Sequence, residues 1–221
     1  GKTNLCILTL KELINKGKKV IYVDTEGGFS VERLKQICPE DYEKVLSHVY
    51  FLRPNTFEEQ KKAFSKLNNI VNDHIGLIIV DSISMLYRLE FGKDENITTI
   101  NKELALQLSY LNDISRRKNI PVIITNHIYH SFDDKSKVNV IGGDMIKNIA
   151  KCLIELVKHN KNNRSAILRK HRSRPESDPI TFEIYEKGFR TLQEDNQIQN
   201  KEEIIKEEII KEEIKKNINF Q

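Results

Sequence analysis

No stretch of this 221-residue chain approaches the run of about 18 apolar residues that a membrane-spanning helix needs. A transmembrane protein is excluded. Cysteine is scarce: Cys6, Cys38 and Cys152 stand far apart, with no CxxC pair and no histidine at ligand spacing. That excludes a disulfide framework and a zinc module, and reduced thiols in a cytoplasmic compartment are the expectation. An initiating methionine is also missing. The first residues form neither a signal peptide nor a transit peptide, so the chain is expected to be a fragment whose N-terminus lies upstream of Gly1.

What is present suits a globular protein. Apolar residues make up 38% and charged residues 31%, with a mean hydropathy of −0.50. A chain of this length buries roughly 70% of its unfolded surface without staples. The net charge of +4 permits a phosphate or nucleic-acid partner, although local clustering decides more than the sum.

Two textures divide the chain. Residues 1–192 alternate apolar runs with amphipathic stretches, the pattern of an α/β domain, whereas 193–221 form a charged tail, helical or disordered, with repeats of KEEII. In the tail Glu202, Glu207 and Glu212 each precede a lysine by four residues, the orientation that supports a helix. Its isoleucines recur every five residues, which spreads them around the helix and excludes a coiled coil.

Within 1–192 the periodicity predicts a helix over 3–16, with Leu5, Leu8 and Leu13 on related faces, and further helices over 30–37, 57–72 and 100–118. Buried strands are expected at KKVIYVD (18–24), GLIIVD (76–81), PVIITNH (121–127) and CLIELVK (152–158), with a short one at VYFLRP (49–54). SAILRKH and ITFEIYEKGF alternate apolar with polar residues and read as antiparallel strands. Such a parallel sheet binds ligands at the C-terminal ends of its strands.

Several motifs fall there. Gly1-Lys2-Thr3 opens onto a helix and matches the end of a phosphate-binding loop, although three residues also describe an ordinary helix start. Asp81 closes the run LIIVD, where a carboxylate holds magnesium through water or simply caps a loop. The two together, in order, favour a P-loop nucleotide fold. Asp24-Thr25-Glu26-Gly27-Gly28 places carboxylates and glycines at another strand tip, and Thr125-Asn126-His127 ends a third. The polar stretch 131–140 carries Lys135 and Lys137, a candidate contact for single-stranded DNA. Arg169 to Arg174 has five basic residues in six positions, including Lys170, Arg172 and Arg174. It suits a phosphate backbone better than a hairpin edge protected by charge.

In this order, GKTN, VIYVDTEGGFSVERLKQI, LIIVDSISMLYR, ISRRKNIPVIITNHIY, VIGGDMIKNIAKCLIEL and ILRKHRSRPES resemble the RecA/RadA recombinase family. The likeness is strongest to its archaeal branch without an N-terminal DNA-binding domain. It covers Gly1 to about Arg190, not the tail.

The resemblance implies a RecA-type P-loop ATPase core, a mostly parallel sheet between helices followed by antiparallel strands. It implies ATP and Mg²⁺ as ligands, with Gly1, Lys2, Thr3 and Asn4 in the loop, and Thr3 and Asp81 at the metal. Glu26 is implied as the catalytic carboxylate, with Lys2 offsetting phosphate charge, and Arg33 as the adenine-stacking residue. His127 stands where the family usually has a γ-phosphate-sensing glutamine. The first strand and the start of the loop are missing, so a chain beginning at Gly1 is expected to bind ATP poorly.

Such proteins act in DNA repair and recombination with weak ATP hydrolysis and little strand exchange. DNA is the implied partner, with a RadA recombinase, a Holliday-junction resolvase and a second copy of the chain as further ones. A non-catalytic DNA-binding mediator and a strand-exchange recombinase are the rival readings. A small-molecule kinase is distant, because nothing resembles an acceptor-binding lid.

Overall fold

A computed structural model of the chain describes residues 1–91, 97–130, 138–159, 162–175 and 177–192. In order, the elements are α1 (Lys2–Asn15), β1 (Lys19–Asp24), α2 (Val31–Ile37), α3 (Tyr42–Ser47), β2 (Val49–Leu52), α4 (Phe57–Ile70) and β3 (Ile75–Asp81). Next come α5 (Met85–Phe91), α6 (Ile97–Lys118), β4 (Val122–Ile124), β5 (Ile128–His130), β6 (Val138–Val140) and α7 (Gly143–Ile149). The chain continues through β7 (Cys152–Lys158), β8 (Asn163–His171), β9 (Ile180–Tyr185) and β10 (Gly188–Thr191). Its contacts form two units, Gly1–Leu153 with Glu186–Gly188, and the remainder from Ile154.

The first unit grows from strands that are apolar on both faces. β1 pairs in parallel with β2 and β3, and β3 with β4, in the order β2-β1-β3-β4. Because side chains alternate along a strand, Val20, Tyr22, Leu77 and Ile79 pack into one core with Cys6, Ile7, Leu10, Leu34 and Val45. Ile21, Val23, Ile78 and Val80 pack into the other with Phe64, Leu67, Leu104, Leu108, Leu111 and Ile114. Helices α1 to α3 therefore cover one face, and α4, α6 and α7 the other. Expected helix starts have visible causes. The Ser30 hydroxyl accepts the Arg33 N–H and caps α2. The Thr56 hydroxyl accepts the Glu59 N–H, while the Glu59 carboxylate reaches back to the Asn55 N–H.

Three details differ from the sequence expectation. On α1 the inward stripe is Cys6, Ile7, Leu10 and Ile14, and Leu5 is exposed. Leucine alone did not mark the buried face. Only Val122–Ile124 of the third run is strand; Thr125 still bonds Val80 and Ile83 through its backbone, and Asn126 and His127 lie beyond. CLIELVK is not a fourth buried strand: β7 is half-exposed and lies at the edge of the second sheet, of order β10-β9-β8-β7. An apolar run reads the same whichever sheet takes it. Within that second unit β8 and β9 pair antiparallel, and Phe182 packs edge-on against Phe189 with ring centroids 4.9 Å apart.

Gly142 caps α7 in the left-handed region at φ +83°, and a Cβ there would lie 2.8 Å from Ile146 Cδ1 and 3.1 Å from Leu104 Cδ2. Gly142→Ala therefore lowers stability by about 1–2 kcal/mol through the backbone alone, with the side-chain contacts adding to it. A denaturant melt of the two proteins measures the loss. An unchanged midpoint contradicts it.

Candidate functional site

The tips of β1, β3 and β4 and the start of α1 converge at one edge of the parallel sheet. Hydrogen bonds lock the first two tips together. Thr25 donates its N–H to the Asp81 carbonyl at 3.0 Å. Its hydroxyl donates to the Ser82 carbonyl at 2.7 Å and accepts the Ser82 N–H at 2.9 Å. The two carboxylates of the DTEGG turn then separate in role. Asp24 is buried and accepts the N–H groups of Gly28 (3.1 Å) and Phe29 (3.3 Å), so it builds the turn. Glu26, about 30% exposed, faces the edge and accepts a hydrogen bond from the Ser82 hydroxyl.

Asp81 is only 2% exposed. Its Oδ2 accepts the Tyr22 hydroxyl at 2.9 Å and its Oδ1 accepts the Thr125 hydroxyl at 2.5 Å. Burial, then the Asp81 charge, pushes the Tyr22 phenol far above its ordinary range, so it remains a donor. The N-cap of α1 is Gly1, and no side chain caps that helix. A Cβ on Gly28 would lie 3.6 Å from Thr3 Oγ1, which places the glycine turn beside the helix start. Cys6, in the next turn, has its thiol pushed up to about 12 by burial first and Asp81 second, with Lys2 opposing. It is a core residue and not a reactive thiol.

His127 occupies the third tip. Its Nδ1 lies 3.6 Å from Glu26 Oε1 and 3.4 Å from the Ser84 hydroxyl. Burial holds the imidazole below its ordinary value, and the cations of Lys2 and Arg88 add to this against Glu26 and Asp81. At neutral pH His127 is thus neutral, and its contact with Glu26 is polar but not an ion pair. The backbone carries this position onward: Ile141 donates its N–H to the His127 carbonyl at 3.2 Å, and the Asn126 amide donates to the Ile141 carbonyl at 2.8 Å. β5 and β6, which pair antiparallel, lie between these anchors.

Arg33 is tied in place by hydrogen bonds from Nε to Asn4 Oδ1 (2.5 Å) and from Nη1 to Gln36 Oε1 and the Glu186 carbonyl (2.8 Å each). Bonds of this kind lie in the guanidinium plane.

Lys2, Thr3, Glu26, Asp81 and His127 therefore gather at one edge, with Asn4 and Arg33 joined beside them. Sequence reading passed over Tyr22, Ser82, Ser84 and Arg88. Tyr22 hides inside an apolar run, and the others follow the strand tip without a motif of their own.

Lys135, Lys137 and the tail lie outside the described residues. Lys170, Arg172 and Arg174 are exposed at the end of β8 and in the turn after it, while Arg169 pairs with Glu155 at 2.6 Å. β8 is an inner strand, so the basic run is not protecting a sheet edge. Among the described residues no cluster of three His, Cys, Asp or Glu side chains is placed to hold a metal. The oxygen donors of Thr3 and Asp81 fit magnesium, which takes few protein ligands and completes its shell with water and phosphate. No described helix is long and apolar enough to cross a membrane.

The Rad51 family model matches residues 2–192. The DNA repair and recombination protein RadB of Methanococcoides burtonii is 37% identical over 190 residues, 86% of this chain and 84% of that protein. The protein of the same name from Methanocaldococcus jannaschii is 37% identical over 193 residues, 87% and 88% of the two chains. Among solved structures, the crystal structure of the RadB recombinase matches with a TM-score of 0.69 at 34% identity, covering 85% of each chain.

Proposed function

The chain belongs to the Rad51 family, and on that premise we propose that it is a DNA repair and recombination protein of RadB type. It binds ATP and magnesium at the strand-tip edge and hydrolyses ATP slowly. The observation that carries the reading is the single edge on which Thr3, Glu26 and Asp81 meet, fastened by the Thr25–Ser82 bonds.

Catalysis of phosphoryl transfer is mainly positional and electrostatic. Lys2, at the positive end of α1, offsets phosphate charge. Magnesium, when bound, neutralises charge that develops on the phosphate oxygens, and Thr3 and Asp81 would hold it, Asp81 through water. Glu26 orients the attacking water and takes its proton, with the Ser82 hydroxyl steadying the carboxylate. Neutral His127 meets the γ-phosphate, and the backbone ties of His127 and Asn126 to Ile141 pass that contact to the β5–β6 pair. Arg33 offers a guanidinium face to the adenine.

DNA is the proposed macromolecular partner, with a RadA-type recombinase, a Holliday-junction resolvase and a second copy of the chain as further ones, in the cytoplasm. ATP turnover by the full-length protein, with and without single-stranded DNA, tests the reading. Slow turnover supports it. Nucleotide binding without turnover favours a non-catalytic mediator, the alternative suggested by an imidazole at position 127. Formation of D-loops by the protein alone indicates a strand-exchange recombinase.

For DNA, Arg172 and Arg174 are the proposed backbone contacts. Replacing both by Ala weakens binding and flattens the plot of log affinity against log salt by about 2. Fluorescence anisotropy over a salt series measures the slope, and an unchanged slope moves the DNA site elsewhere.

A further inference from the structure

We infer that Tyr22 and Thr125 are positioning residues that hold the Asp81 carboxylate in one orientation for the metal ion, an inference that rests on the proposed nucleotide site. The terminal torsion of an aspartate is broad, so a lone carboxylate at a strand tip would swing. Here each oxygen is taken by a different hydroxyl from a different neighbour of β3: Tyr22 on β1 at 2.9 Å to Oδ2, and Thr125 after β4 at 2.5 Å to Oδ1. Donors from opposite sides block rotation either way.

Both donors are themselves immobile. The Tyr22 ring is fully buried and packs in a three-ring cluster with Phe29 (centroids 5.3 Å apart) and Phe51 (5.7 Å), which are themselves 4.7 Å apart. Thr125 is fixed by its backbone, donating its N–H to the Val80 carbonyl at 2.9 Å and accepting the Ile83 N–H at 3.1 Å. Tyr22 has no exposed surface from which to touch a nucleotide, so any influence it has on the site passes through Asp81. Each Asp81 oxygen keeps a second lone pair, and with the carboxylate plane fixed these point in constant directions. Hydrogen-bond partners of this sort behind a metal-binding group are typically worth 10–100-fold in metal affinity.

A role confined to folding makes a different forecast, since losing a buried hydroxyl pair would lower stability and leave metal dependence alone. The test uses the full-length protein and its Tyr22→Phe, Thr125→Val and Thr125→Ser variants. Binding of a fluorescent ATP analogue is followed over a magnesium series and in EDTA, with melting curves alongside. Tyr22→Phe and Thr125→Val are expected to raise the half-saturating magnesium concentration by about 10–100-fold, with binding in EDTA unchanged. Thr125→Ser, which keeps the hydroxyl, returns it toward the wild-type value. A lowered melting point with an unmoved magnesium midpoint overturns the inference.

Tyr22→Phe removes a single oxygen atom, so it keeps the test open if Thr125→Val does not fold. Asp81→Asn separates the two layers of argument. If it shifts the magnesium midpoint while Tyr22→Phe and Thr125→Val do not, the positioning role alone is lost. If Asp81→Asn also leaves the midpoint in place, the metal site at Asp81 falls, and the inference falls with it.

Discussion

Nucleotide affinity falls by about 100-fold or more, about 3 kcal/mol, when Lys2 is replaced by Ala in the full-length protein. Lys2 is the first residue of α1, and the stripe that buries this helix is Cys6, Ile7, Leu10 and Ile14. Alanine is the strongest helix former, so the substitution leaves α1 and its packing intact. What it removes is a cation at the positive end of a helix, where charge-assisted bonds to phosphate are the strongest polar contacts available. Titration calorimetry with ATP reads the loss, and unaltered affinity removes Lys2 from the nucleotide site.

The same variant carries an internal check that needs no nucleotide. The Lys2 ammonium is one cause of the low proton affinity of His127. Without it the imidazole becomes easier to protonate, and its NMR titration moves to higher pH. A midpoint that stays still, or moves lower, shows that the two side chains do not share the edge.

Glu26→Gln gives the second large effect. ATP turnover drops by about 100- to 1000-fold, while nucleotide affinity changes little. Glutamine keeps the shape of the side chain and a carbonyl oxygen for the Ser82 hydroxyl, so the edge keeps its geometry. It cannot take a proton from water. Steady-state phosphate release beside a binding isotherm separates the two quantities. Turnover that persists in the variant assigns the base to another residue, and matched losses of turnover and affinity make Glu26 a binding group.

The parallel sheet was readable because its strands are apolar on both faces: KVIYVD and IGLIIVD have no polar side to mistake for a solvent face. The same uniformity explains the error at β7, where an apolar run in CLIELVK carried no mark of which sheet would receive it. Two short helices were missed: α3 and α5 run for six and seven residues, whereas α2, equally short, has Ser30 capping its start.

In the site, Lys2, Thr3, Glu26 and Asp81 stood out as charged or hydroxyl groups at strand tips and a helix start, and the family pattern put them in one order. Asp24 carried no assigned role, and the structure shows that the turn itself consumes this carboxylate. Tyr22 and Ser82, and the pairing of Thr125 with Asp81, stayed hidden for another reason. Their partners lie 44 to 59 residues away in sequence, and such pairs exist only once β1, β3 and β4 lie side by side.

The reciprocal bonds between Thr25 and Ser82 set a limit on how this molecule can govern its own rate. Glu26 directly follows Thr25 and Asp81 directly precedes Ser82, so the proposed hydrolytic and metal-side carboxylates travel as one rigid body. Drawing them apart would break backbone pairing across two central strands. On the proposed function, a throttle on hydrolysis would therefore act on a third component, either the arrival of the triphosphate at α1 or the stance of His127.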